Sequence, residues 1–149
     1  MRIRVTILVL LAVISLARFA RADEALDQLI ARADSAPPSE RPALYIRIAH
    51  QQADAADKLY QAGDAEAGNR ALNDVVTYAG KASDAAAATG KRLKDTEIAV
   101  RKMSEKFRDV KRTLPFEDQE PVQQAIDRLE KMRTDLLAVM FGKKEKEKK

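Results

Sequence analysis

His50 is the sole histidine in the chain. It precedes Asp54 by one helical turn and Asp57 by two. On a helix, that spacing offers one imidazole and two carboxylates to a single cation. The plainer reading is a solvated outer face, because Arg47, Lys58 and Gln61 share that side and such charge runs are ordinary there. The hydroxyl nucleophiles Ser35, Ser39, Ser83 and Ser104 have no second histidine to draw on, and none stands in a glycine-flanked elbow. Glu117 and Asp118 sit at a helix start, where capping and the helix dipole account for them. Ala88-Thr89-Gly90-Lys91 ends like a phosphate loop but lacks its spacing. There is no cysteine, which excludes disulfides, thiol catalysis and thiolate-held metals. The sequence therefore offers no catalytic, cofactor-binding or metal site, and it reads as a non-enzymatic protein.

The elements that would carry any site are legible from apolar periodicity. Steps of three and four residues connect Leu72, Val75, Ala79, Ala82, Ala86, Thr89, Leu93, Thr96, Val100, Met103, Phe107, Val110 and Leu114. This is a heptad seam without proline, and it predicts a long central helix over about 65–112, roughly 70 Å at 1.5 Å per residue. Gly80 and Gly90 are its weak points, each costing about 1 kcal/mol relative to alanine. Continuity through Gly90 is the expectation, because the heptad phase carries across it and no good N-cap follows before Asp95. A turn at Thr89-Gly90-Lys91 would give a compact four-helix bundle instead.

Shorter helices flank that spine. Residues 23–34 place Leu26, Leu29, Ile30 and Ala33 on one face, and Pro37-Pro38 ends the helix. A helix over about 40–62 comes next, with Ser39 as cap and Pro42 in its first turn. Gly63 suits a left-handed C-cap, and Asp64 can cap the start of the spine. Pro115 stops the long helix, and a last helix over 119–141 closes at Gly142. It carries a second seam of Val122, Ala125, Leu129, Met132, Leu136 and Val139. The expected fold is all-α, an antiparallel, coiled-coil-like bundle in which 40–62 covers the alanine-rich half of the spine and 119–141 its Met/Phe half. Leu72, Val75, Ala79, Leu93, Val100, Met103, Phe107 and Val110 are the expected packing residues of the spine, with Leu129, Met132 and Leu136 opposite them. Aromatics are 5% of the chain, so alanine must supply much of a thin core.

Residues 1–22 read as a signal peptide. Arg2 and Arg4 form a basic start, Val5–Leu16 an apolar run, and Ala20-Arg21-Ala22 a cleavage site before Asp23. The run is shorter than the roughly 20 residues that span a bilayer, which favours cleavage over an uncleaved anchor. The four arginines of this segment equal the net charge of +4, so the remaining chain is formally neutral and gives no argument for nucleic acid. The expected location is exported, periplasmic or secreted. Residues 23–142 form the helical domain, and Lys143–Lys149 a disordered basic tail. That tail offers at most a weak contact with an anionic membrane surface, since Glu145 and Glu147 dilute its charge.

Leu59-Tyr60-Gln61-Ala62-Gly63-Asp64-Ala65-Glu66-Ala67 resembles the inter-helix turn of a tetratricopeptide repeat, in a single copy over 53–82. Arg41-Pro42-Ala43-Leu44-Tyr45, Leu93-Lys94-Asp95-Thr96-Glu97-Ile98 and Arg133-Thr134-Asp135-Leu136-Leu137 make the chain similar to small exported helical proteins of soil bacteria that have no assigned function. That likeness implies export and an all-α fold and brings no active site. Periplasmic helical chaperones of the Spy/CpxP type are similar in size and helicity, but their paired Leu-Thr-x-x-Gln motifs do not occur here. The expected function is that of an interaction or scaffold protein working through helix–helix contacts, with a protein partner or a second copy. A periplasmic holdase-type chaperone is the alternative, and a metal binder at His50 ranks last.

Overall fold

The computed structural model describes residues 25–146, and every regular element among them is helical. We number a helix over 25–35 as α1, Arg41–Gln61 as α2, Ala65–Thr89 as α3, Leu93–Thr113 as α4 and Gln119–Lys146 as α5. A 3-10 turn, Phe116–Asp118, precedes α5. None of these helices is long and apolar enough to cross a membrane. The signal-peptide assignment at 1–22 lies outside the described residues.

α2 and α3 form one antiparallel hairpin, α4 and α5 another. The first turns on Gly63, whose φ of 79° is left-handed. The Gly63 and Asp64 amides donate to the Tyr60 and Leu59 carbonyls, both at 3.0 Å, and so satisfy the end of α2. Asp64 then caps α3 by accepting from the Ala67 amide at 3.0 Å. The hairpins lie side by side, α2 against α4 and α3 against α5. Both pairs run parallel: Asp54 meets Lys106 and Gly80 faces Met132, each across 52 residues of chain. The layouts match, for α2 and α4 have 21 residues each. α1 covers the outer side of the first hairpin, where Ala33 joins Tyr45, Ile48 and Ala82 in a small core of their own. Tyr45 Oη donates to Asp34 at 2.8 Å and Arg41 Nε to the Ala36 carbonyl at 2.9 Å, which fastens the end of α1 to α2.

The expected spine is not continuous. α3 stops at Thr89, and α4 begins at Leu93. Gly90 (φ 66°) and Arg92 (φ 56°) both take the left-handed backbone, and the Gly90 amide donates to the Ala86 carbonyl at 2.8 Å. Heptad phase survives this break because Thr89 and Leu93, one on each side of it, are four residues apart and both lie toward the core side. The physical reason for the turn is coverage. Folding back lets α3 bury residues against α5 and α4 against α2, contacts that a straight rod would lack.

Three boundaries also differ from expectation. α2 has Glu40 at its N-cap with no side-chain cap, so Ser39 does not cap it; Pro42 in the first turn supplies the helical φ instead. α4 starts at Leu93, ahead of Asp95, with Arg92 at its N-cap and no side-chain cap. α5 passes through Gly142 to Lys146, because a lone glycine costs only about 1 kcal/mol and nothing there requires a left-handed backbone.

Leu72, Val75, Ala79, Val100, Met103, Phe107, Val110, Leu129 and Leu136 are buried, with Leu93 and Met132 half-buried against them.

Two glycines should respond oppositely to alanine. A Cβ on Gly68 would stand 2.8 Å from the Tyr60 ring, which is packed and bonded to Asn69, so Gly68→Ala should cost about 1–3 kcal/mol despite better helix propensity. A Cβ on Gly80 meets only the Met132 methyl at 3.5 Å, so Gly80→Ala should gain about 0.5–1 kcal/mol. Urea unfolding of both variants at low protein concentration checks the signs.

Candidate functional site

Three side-chain constellations lie on the seams between helices. On the α2/α4 seam, Lys106 Nζ sits 2.7 Å from Asp54 and 3.4 Å from Asp57. The hydrogen bond from Lys106 draws the Asp54 carboxyl below its ordinary range. His50, one turn away, is held below its usual range by partial desolvation of its otherwise exposed ring and by Lys106 and Lys102, against the opposing pull of Asp54. Helix spacing does align His50, Asp54 and Asp57, as the sequence suggested, but a lysine from the facing helix occupies the two carboxylates. Among the described residues no three metal-ligating side chains converge. Beside this cluster, Tyr60 donates to Asn69 at 2.6 Å, and burial pushes its hydroxyl up to about 12.

The α4/α5 seam holds a polar lock that the apolar pattern did not reveal. Ser104, fully buried, donates to Glu130 Oε1 at 2.5 Å, and Arg108 reaches the same oxygen at 2.9 Å. Arg133 Nε donates to the buried Glu97 at 2.9 Å. The Ser104 bond, then Arg108 and Arg133, hold the Glu130 carboxyl below the ordinary carboxylate range. A cross-helix bond of this kind fixes which turn of α5 meets which turn of α4, because sliding by one turn would leave Ser104 buried and unpaired. No buried side-chain nitrogen or oxygen among the described residues lacks a partner.

The third feature is a groove between α3 and α5, about 340 Å³ in volume and open to solvent. Gly80, Ser83 and Ala87 form one wall, and Met132, Leu136 and Val139 the other. The parallel run of α3 and α5 creates it: small residues on α3 leave a trough that the larger α5 side chains only partly fill. Lys131 and Asp135 on its edge pair with each other at 2.7 Å. The side chains of Asp84 and Arg128, also on the edge, form no ion pair or hydrogen bond among the described residues.

Most of the packing residues expected from the sequence serve the interior. Leu72, Val75, Ala79, Val100, Met103, Phe107, Val110 and Leu129 are spent on joining the helices to one another, with Leu93 at their margin. Only Met132 and Leu136 also reach the groove. Ala87, Asp84 and Arg128 were not singled out from sequence. Their signal is tertiary, since nothing in a helical repeat tells which exposed charges will lack a neighbour.

No protein-family model matches the chain, and neither a curated protein nor a solved structure matches it.

The polar lock has a pH signature. A carboxyl whose folded value is depressed stabilises the fold fully above its unfolded value, about 4.3, and that stability disappears as pH falls through the lower folded value. Glu130→Gln should therefore be less stable than the parent at pH 7, with the difference shrinking toward about pH 2–3. Urea unfolding across that range measures it; a difference independent of pH would show that the carboxylate charge does not hold the seam.

Proposed function

We propose that this chain is an exported, non-enzymatic interaction protein that works by helix–helix contact through the α3/α5 groove. The seam residues of the two hairpins are consumed inside the fold, so an open heptad stripe is not what would recruit a partner. What supports the reading is the groove itself. Its lining is mostly apolar, Met132 and Val139 are only partly covered, and on its edge stand two charges of opposite sign, Asp84 and Arg128, that pair with no described residue. A third amphipathic helix entering there would cover apolar area, gaining about 25 cal/mol per Å² before the cost of ordering it. The proposal of export rests on the basic start, the apolar run and the Ala20-Arg21-Ala22 site of the first 22 residues.

A second reading, a holdase-type chaperone, draws on the exposure of Phe116 (88%) and Phe141 (59%), large apolar rings that unfolded clients could bind. Suppression of client aggregation separates it from the first, which needs a folded helical partner.

A photo-crosslinking amino acid at position 87 or 139 in cells making the chain should yield protein adducts, whereas the same probe at Arg70, on an exposed part of α3, should not. Equal labelling at all three positions, or none at 87 and 139, would remove the groove as the contact surface.

A further inference from the structure

We infer that the occupant of the α3/α5 groove is a second copy of this chain, laid antiparallel across it. The inference rests on the reading of that groove as the contact surface and names its partner. Its basis is the placement of the two unpaired charges. Gly80 and Met132 face each other and so define one level along the parallel helices. Asp84 lies four residues beyond Gly80, and Arg128 four residues before Met132. At 1.5 Å per residue, each is about 6 Å from that level, in opposite directions. The two are thus about 12 Å apart along the axis within one chain, which explains why they do not pair there.

A twofold axis crossing the helices at the Gly80–Met132 level exchanges those two heights. It brings the Asp84 of one copy to the height of the Arg128 of the other, and does so twice, as an isologous interface requires. Lys131 and Asp135 already neutralise each other within one chain, so they oppose no such approach. The floor at the axis is Gly80 and the Met132 methyl, a shallow and adaptable surface against which the same surface of a second copy can lie. The groove is therefore self-complementary in charge in the antiparallel arrangement. A parallel arrangement would leave both charges without partners.

Sedimentation equilibrium of the full chain, as purified from expressing cells, tests this. The parent should sediment as a monomer–dimer equilibrium. Asp84→Arg and Arg128→Asp alone should each weaken dimerisation roughly tenfold or more, since each places two like-charge pairs in the interface. Mixing the two single variants should restore association, because both contacts in the mixed dimer then join an arginine to an aspartate. The double variant should likewise recover it. Circular dichroism should show all of them folded, as both residues are exposed; if a reversal unfolds the chain, Asp84→Asn and Arg128→Gln replace it, with weakening still expected. A parent that stays monomeric at millimolar concentration overturns the proposal, as do single variants that dimerise unchanged or a double variant that fails to recover. In the monomeric case, adducts with other proteins from positions 87 and 139 would leave the groove a contact surface for a different partner, whereas their absence would end both readings.

Discussion

The left-handed backbone at Gly90 and Arg92 turns a single apolar stripe back on itself, and the placement of both hairpins depends on that reversal. Its cost is modest. A non-glycine residue in that region costs about 1–2 kcal/mol, and starting α4 without a side-chain cap about 1 kcal/mol more. Against this stand the contacts that exist only because the chain reverses: α3 on α5, and α2 on α4. Burial of one large side chain contributes about 1.5–3 kcal/mol, so two or three residues such as Leu136, buried between the hairpins, outweigh the turn.

The same reversal determines what the surface can do. It sets α3 and α5 parallel, and the different side-chain sizes on the two helices then leave a trough between them. The other two seams also carry open hollows, of about 660 and 510 Å³, but paired polar side chains line them. Lys106 spans Asp54 and Asp57 between α2 and α4, and Ser104 with Arg108 holds Glu130 between α4 and α5. The ion pairs among these select register rather than adding much stability, since pairs at such partly exposed sites are worth about 0–1 kcal/mol each. The trough is left with apolar walls and two charges that no described residue pairs with, and these are what a partner would meet.

Much of this fold could be read from residue spacing. The apolar faces of α1 and α5 fall where their three–four periodicity puts them, and Gly63-Asp64 turns the chain as its residue types require. The break at Gly90 was harder, for a simple reason. Heptad phase reports which side of a helix is apolar, and that side stays the same whether the chain runs straight or doubles back after a turn of suitable length. Arg92 gives no warning, because arginine has no preference for the left-handed region. Glu40 in place of Ser39 at the start of α2, and helix continuing past Gly142, show local signals yielding to neighbours. The candidate site was least legible. Val139 looks like an ordinary seam position, Ala87 falls outside the seam, and the solitude of Asp84 and Arg128 emerges only once the helices are placed.

The distance between the start of α3 and the end of α4 decides between a folded and a straight spine. The chain has no cysteine, so spin labels on cysteines introduced at Glu66 and Arg112 report that distance without interference. Two stacked hairpins, with helix axes about 8–10 Å apart, put the labels under about 30 Å from each other. An unbroken helix from α3 through α4 would set them roughly 70 Å apart, and a measured distance near that value would contradict the reversal that creates the groove.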